Sequence, residues 1–376
     1  MELNNMEQRL QKIFEHLHRH PEVSWQEVNT TAYLKQQLED IGLEPVVFDD
    51  MTGLYVDIGE GVPTVGFRTD IDALWQQVDG KFQANHSCGH DGHMTMALGV
   101  AFALQQENLP GAVRILFQPA EEKAGGAKAF VEKGLVDDLE YLFGTHVRPL
   151  VELADGYHAP ALYHGAAKLI TGTIIGAEAH GARPEQGVNA IEVAAALVDA
   201  MKRIWISPTE CASIKMTQLQ AGGVSTNIIP GSATFSIDAR AQTNDTMAKL
   251  TLGLEKAIEA VSTLYGATIT TSIGAHIAAA QVDDEAKAIM REAIVDTVGE
   301  AYCAPDVVTP GGEDFHFYAF NRPLLKTTML GLGCGVTPGL HHPLMTFNTE
   351  QLTVGVKIIT AALKGALKQI ERRDKK

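Results

Sequence analysis

"GVPTVGFRTD", residues 61–70, is a short apolar run that ends in an acidic loop. "AVRILFQPAEE" (112–122) likewise runs into an acidic pair, and "YLFGTHV" (141–147) and "LLKTTMLGLG" (324–333) are further apolar runs. Each has the length and apolar density of a buried strand. Between them lie "TMALGVAFALQQ" (95–106), which reads as a buried helix, and "GGAKAFVEKG" (125–134), a short helix opened and closed by glycine. Strand and helix in alternation predict a mixed, mostly parallel sheet covered by helices, an α/β fold.

The rhythm changes near residue 168. "KLITGTIIGAEAHG" (168–181) is a long strand signal, and "ASIKMTQLQAGG" (212–223) and "SATFSIDARAQ" (232–242) alternate as half-buried antiparallel strands do. Helical segments at 189–204 and 246–265 and a closing strand at 267–274 complete a compact α+β unit of roughly 105 residues, a workable domain size. Long helices resume at 283–302 and 349–370. The expected organisation is therefore an α/β domain, 1–167 and 275–376, interrupted by an inserted α+β domain at 168–274. No internal repeat or low-complexity linker is visible.

Bulk composition narrows the partners. The chain has 376 residues, of which 45% are hydrophobic and 20% charged, as in ordinary globular proteins rather than disordered ones. Its net charge of −16 repels phosphate backbones and anionic lipid, and the only basic run is the "ERRDKK" tail, so nucleic acid and membrane are not expected partners. The longest apolar stretch, "MALGVAFAL", is far shorter than the ~18 residues of a membrane span. The N-terminal residues Leu10, Ile13, Phe14 and Leu17 recur at helical spacing rather than forming a signal-peptide core, and the four cysteines are sparse. A reducing cytoplasm is the expected location.

Polar residues follow each predicted strand of the first domain: Asp70 and Asp72, Glu121 and Glu122, His146, and His341. Open α/β sheets bind ligands beyond the carboxyl ends of their strands, so these side chains should converge. "ANHSCGHDGHMTM" (84–96) adds Cys88, His90 and His93. Thiolate and imidazole suit zinc, and imidazole with carboxylate also tolerates manganese. Cys88 and His90, two apart, would face one side of an extended segment, with Gly89 leaving room for an ion. His93 reads as a histidine that packs or supports the ligands from behind rather than ligating, and His86 as one that positions its neighbours. Asp91 is either a helix cap or a partner of a ligand. Asp70 and Asp72 either orient imidazoles or open a helix. Glu121 and Glu122, adjacent in extended backbone, would diverge, so that one could ligate a metal and the other take a proton from water. That division of labour suits hydrolysis. "GLGCG" (331–335) precedes no helix and so is not a phosphate loop, and neither G-x-S-x-G nor H-E-x-x-H is present. A cysteine nucleophile at Cys88 would leave the Glu pair and His341 unexplained.

"HLHRHPEVSWQE", "FRTDIDAL", "HSCGHDGH", "FQPAEE", "GTHV", "GGVSTNIIP", "GGEDFHFY" and "LHHP" occur in the order of the M20 metallopeptidase clan. The chain most resembles the clan's amidohydrolase branch, which includes aminoacylase-like, hippurate-hydrolase-like and auxin-conjugate-hydrolase-like enzymes. The resemblance spans nearly the whole chain. It implies a zinc-exopeptidase-like fold with a dimerisation or lid insert, and two divalent metals, zinc or manganese. It implies Cys88, His90, Glu122, His146 and His341 as ligands, Cys88 as a candidate bridge and Glu121 as general base. It also implies that His180 stabilises the oxyanion across a homodimer, and that Asn227, Arg240 and the Gly311–Gly312 loop hold a substrate carboxylate. The substrate so implied is an N-acyl or aminoacyl amino acid. A dipeptidase or aminopeptidase of the same fold, or a metal-binding protein without turnover, are the alternatives. Two departures from the branch, the short Trp75-containing loop before Cys88 and Pro184-Glu185 in place of Pro-His, bear on substrate preference.

Overall fold

The computed structural model describes residues 3–375; Met1, Glu2 and Lys376, the outermost residues of the expected α/β range, lie outside them. The chain divides into two compact units. The first holds the residues up to Tyr163, Gln281–Thr309 and the residues from Asp314 onward; the second holds His164–Ala280 and Pro310–Glu313.

The first unit is built on a seven-stranded sheet in the order Val46–Val47, Leu54–Ile58, Ala112–Gln118, Pro63–Asp70, Tyr141–Pro149, Lys326–Val336, His158–Ala159. The inner four strands are mutually parallel. The outer pairings are antiparallel. The inner strands are buried on both faces, which is why they read as continuous apolar runs rather than alternating ones.

The helix His90–Leu104 is buried at every residue but Ala103, so it too lacks an amphipathic period. It crosses Glu350–Asp374 closely. A Cβ on Gly99 would stand 2.5 Å from Val356 Cγ2, and one on Gly355 would stand 2.3 Å from Met96 Sδ. Reciprocal glycines let the two backbones approach, and this crossing holds the first turn of the helix, with His90, in place. Phe102 is fully buried in this layer, where truncation to Ala would cost about 3–5 kcal/mol.

Of the two readings of Asp70 and Asp72, the one in which they open a helix fails here. "FRTDID" opens no helix; the chain continues into a hairpin, Leu74–Val78 paired with Lys81–Asn85. Its turn is Asp79-Gly80, with φ of 49° and 81°, the two positive values that a type I′ turn demands and Asp-Gly supplies.

The second unit has a four-stranded antiparallel sheet in the order Ala212–Ala221, Ser232–Ala241, Ala166–Ile175, Thr268–Ile277. Helices Ala190–Met201 and Asn244–Tyr265 cover one face, capped by the side chains of Asn189 and Thr243. Along Ser232–Ala241 the residues Ala233, Phe235, Ile237, Ala239 and Ala241 are buried, while Thr234 and Arg240 are exposed. Among the described residues no helix is long and apolar enough to cross a membrane.

Candidate active site

At the carboxyl ends of the parallel strands, the ligand atoms of Cys88, His90 and His146 lie within 4.8 Å of one another, and so do those of Cys88, Glu122 and His341. A third such group is His90, Glu121 and Glu122. Cys88 Sγ is 3.5 Å from His146 Nε2, and Glu122 Oε1 is 3.5 Å from His341 Nε2. All six residues that the sequence nominated in this unit therefore come together.

Hydrogen bonds orient the imidazoles. His90 Nδ1 donates to the main-chain carbonyl of Asp72 at 2.9 Å, and His146 Nδ1 donates to the Val147 carbonyl at 2.6 Å. Each ring thus turns an Nε2 lone pair toward the cluster. His90 Nε2 and Glu122 Oε1 are buried and make no hydrogen bond, although such atoms are ordinarily satisfied in native structures. A cation held by this donor set would satisfy both. His93 differs: Nδ1 donates to Asp70 Oδ1 at 2.7 Å and Nε2 accepts the Val147 N–H at 3.0 Å, so both nitrogens are engaged.

The acids are set by Asp72. Its carboxylate accepts the backbone N–H of Glu121 and of Glu122, each at 3.1 Å, and the Ser24 hydroxyl at 2.6 Å. The Glu pair is not extended as expected. It lies in a one-turn 3₁₀ helix, Glu121–Lys123, entered through Ala120 at φ 53° and left through Ala124 at φ 50°. The side chains still part: Glu122 points to His341, while Glu121 Oε1 accepts the Asp314 N–H at 3.3 Å and its Oε2 lies 4.0 Å from His90 Nε2.

Three further expectations are corrected. Cys88 and His90 do not share an extended segment, because His90 begins a helix after Gly89 at φ 86°. Gly89 does not make room for an ion; a Cβ there would lie 2.5 Å from Val147 Cγ2. Asp91 accepts the Gly92 N–H at 2.8 Å and His18 Nδ1 at 2.7 Å, so its partners are neither a capped helix end nor one of the grouped ligands. His86 is buried and neither ring nitrogen makes a hydrogen bond, so its expected positioning role has no hydrogen bond to act through.

Burial and charge shift these groups. Burial, with Glu122 adding to it, holds the Cys88 thiol well above its ordinary range. Burial pushes Glu122 up to about 7, with Asp72 adding and His90 opposing. Burial, then His93 and Arg148, holds His146 well below the usual histidine range. For His90, burial alone would lower the value, but Asp70, Cys88 and Asp72 together raise it well above normal. Asp70 sits well below the carboxylate range because His90, His93 and Arg68 outweigh its burial. Burial thus makes the charged forms of Cys88 and Glu122 costly, a cost that a divalent cation held between them would offset.

Residues that sequence reasoning did not single out complete the support. His18, Ser24 and Glu27 all come from the "HLHRHPEVSWQE" stretch. His18 holds Asp91, Ser24 holds Asp72, and Glu27 accepts the Ala120 N–H at 2.9 Å and the Thr52 hydroxyl at 2.6 Å. Their order in the motif was visible; their reach was not.

The second unit's nominated residues are exposed. His180 and Asn227 are neighbours, since Ala179–His180 pairs with Ile228–Ile229 and the Gly181 N–H donates to the Asn227 carbonyl at 2.8 Å. His180 Nδ1 accepts the Ala182 N–H at 3.0 Å, which places the ring proton on Nε2. Arg240 stands on the sheet face away from the helices, with Nε and Nη2 on the Asp238 carboxylate at 3.0–3.2 Å. The Gly311 carbonyl accepts the Gly165 N–H at 3.1 Å, and Gly312 packs against Ile277 in the same unit.

Residues 66–365 match peptidase family M20/M25/M40. The chain belongs to this family. It is accordingly a metal-dependent hydrolase. Among its M20 relatives, N-acetylcysteine deacetylase of Bacillus subtilis (strain 168) is 30% identical over 356 residues, covering 90% of this chain and 91% of that protein. Hippurate hydrolase of Campylobacter jejuni subsp. jejuni is 29% identical over 347 residues, 89% of this chain and 87% of that protein. The structure of the Bacillus subtilis YXEP protein, described as a dinuclear metal binding peptidase from the M20 family, matches with a TM-score of 0.82 at 27% identity, covering 97% of this chain and 99% of that one.

Proposed function

We propose that this M20 hydrolase holds two divalent ions, zinc or manganese, and cleaves the amide bond of N-acyl or aminoacyl amino acids that carry a free carboxylate. The observation that carries the reading is the pair of ligand groups, Cys88–His90–His146 and Cys88–Glu122–His341, that meet at one thiol. Zinc is favoured by the thiolate and imidazoles, and the carboxylate leaves manganese open. When bound, the ions polarise the substrate carbonyl and make water acidic enough to attack near neutral pH.

The chain's own groups do the rest. Glu121, held by the Asp314 N–H rather than by the thiol-centred groups, takes the proton of the attacking water and passes it to the leaving nitrogen. His180, with its proton on Nε2, donates to the developing oxyanion. Asn227, Arg240 and the Gly311–Gly312 main chain hold the substrate carboxylate, with Arg240 exchanging Asp238 for it. The second unit acts as the lid and as the surface of a homodimer, and the enzyme works in the cytoplasm. The relatives' names support the substrate class, because hippurate and N-acetylcysteine are both N-acyl amino acids with a free carboxylate.

The deciding experiment measures metal content of the purified protein and hydrolysis of N-acetyl amino acids, hippurate and dipeptides, before and after chelation. About two ions per chain and chelator-sensitive turnover of N-acyl substrates are expected. Faster turnover of dipeptides with a free amine would move the assignment to a dipeptidase. Two ions with no turnover of any substrate would leave a binding protein.

A further inference from the structure

His341 is the least supported of the residues in the metal-ligand groups. Its side chain is 55% exposed, and its φ of 63° lies in the left-handed region that residues with a Cβ rarely adopt. Packing does not set this imidazole, so its place follows from its main chain. Both main-chain groups are tied. The His341 N–H donates to the Ser87 carbonyl at 2.7 Å, one residue before Cys88. The His341 carbonyl accepts from Gln76 Nε2 at 3.1 Å.

Gln76 belongs to the hairpin that the sequence resemblance left unexplained. In its register Leu74 faces Asn85 and Gln76 faces Gln83, so Gln76 and Asn85 are diagonal neighbours on one face. Asn85 Nδ2 donates to Gln76 Oε1 at 2.6 Å and to the Pro343 carbonyl at 3.1 Å. The network fixes both amides: Gln76 must present its oxygen to Asn85 and its NH₂ to His341. Two hairpin amides thereby grip the His341 loop at residues 341 and 343, while the strand leaving the hairpin delivers Ser87 and Cys88 to the same place.

We infer that Gln76 and Asn85 are positioning residues that set the Cys88–Glu122–His341 group, and through it the affinity of one of the two ions. The inference rests on the dinuclear reading above. The other group shares Cys88 but takes its remaining ligands from elsewhere, because His90 opens a buried helix and His146 lies within a buried inner strand. Loosening the clamp should therefore weaken one ion and spare the other.

Gln76→Glu keeps the shape and puts a carboxylate oxygen where the donor faces the His341 carbonyl. Asn85→Ala removes both of the other donors. Metal-free protein is titrated with zinc against a competing chelator, alongside the parent and Gln83→Ala, a substitution on the same hairpin face. The parent and Gln83→Ala should each bind two equivalents. In Gln76→Glu and Asn85→Ala one equivalent should keep its affinity and the other should weaken about tenfold or more, the usual cost of losing a group that orients a ligand. Two unchanged equivalents in both variants would overturn the clamp and leave the dinuclear reading standing. Equal weakening of both equivalents would overturn it too, because the hairpin would then support the whole site. A parent that binds fewer than two ions would instead remove the dinuclear reading itself, and the clamp with it.

Discussion

The chemistry of this chain is assigned to residues in two contrasting settings. In the first unit Cys88, His90, Glu122 and His146 are buried or nearly so; main-chain carbonyls hold the two imidazoles by Nδ1, and Asp72 holds the Glu122 main chain. In the second unit His180, Asn227 and Arg240 are exposed, and their visible partners are local: Ala182, Gly181 and Asp238. Binding an ion requires several donors held at once against their own desolvation, which only a packed strand-end site provides. Meeting a substrate requires groups that remain accessible until it arrives. Substitutions in the two settings should therefore fail in different ways, the first through metal and stability, the second through substrate binding and rate with metal and stability unchanged.

Glu121 tests the contrast most severely, because it sits among the ligands and is assigned to proton transfer. Glu121→Gln is expected to lower kcat by about 10²–10⁴-fold with metal content unchanged. Loss of an ion on this substitution, read by metal analysis, would move Glu121 into the ligand set. His180→Ala is the counterpart in the second unit. It should lower kcat by about 10²–10³-fold while leaving metal content and unfolding midpoint as they were. An unchanged kcat would remove the second unit from the chemistry and leave the contrast without its second term.

How far the sequence could be read divides along similar lines. The parallel strands were legible because burial on both faces makes them continuous apolar runs, and residues after them are carried to one edge by topology. Cys88, His90, His146 and His341 could be nominated because few side-chain types hold metals, and the fold groups them. The support was not. Asp72 acts on Glu121 and Glu122 across about fifty positions of sequence, and nothing local marks that pairing. The Glu pair's tight turn depends on Ala120 adopting a left-handed conformation, held there in part by Glu27 from far upstream. Gly89 looked like space for an ion because Val147, the side chain it avoids, is more than fifty residues away. By contrast, the Asp79-Gly80 turn carried a usable local signal, and the hairpin it closes brings Gln76 to His341.

The pH dependence of the metal-free protein separates the units thermodynamically. Glu122 has a folded pKa raised from 4.5 to about 7, chiefly by burial. Its contribution to stability is complete below 4.5, where it is protonated in both states, and is lost as pH rises through 7, where folding must bury the charge. At ~1.4 kcal/mol per unit the difference is on the order of a few kcal/mol. Metal-free Glu122→Gln should therefore unfold at higher urea than the parent at pH 8, with the two converging near pH 4. Equal midpoints at pH 8 would show that the carboxylate is not desolvated in the folded protein. With metal present the order should reverse, because the ion needs the carboxylate that Gln lacks.

The smallest expected effect contrasts two hydroxyls. Ser24 donates to the buried Asp72 carboxylate at 2.6 Å, whereas Thr173 and Thr270 share a 2.7 Å bond on the exposed face of the second unit's sheet. Asp72 also holds the Glu121 and Glu122 N–H groups, so it remains ionised and constrained if Ser24 is removed, and only one of its donors is lost. Ser24→Ala should then cost about 1–3 kcal/mol, the range for withdrawing a partner from a buried acceptor. Thr173→Val keeps the β-branch and should stay within about 0.5 kcal/mol, because water replaces the lost bond. Urea unfolding of the metal-free variants gives both numbers. If the two substitutions cost the same, Asp72 is better hydrated than its burial indicates, and the rigidity attributed to the first unit's site would have to come from the helix crossing at Gly99 and Gly355 rather than from its hydrogen bonds.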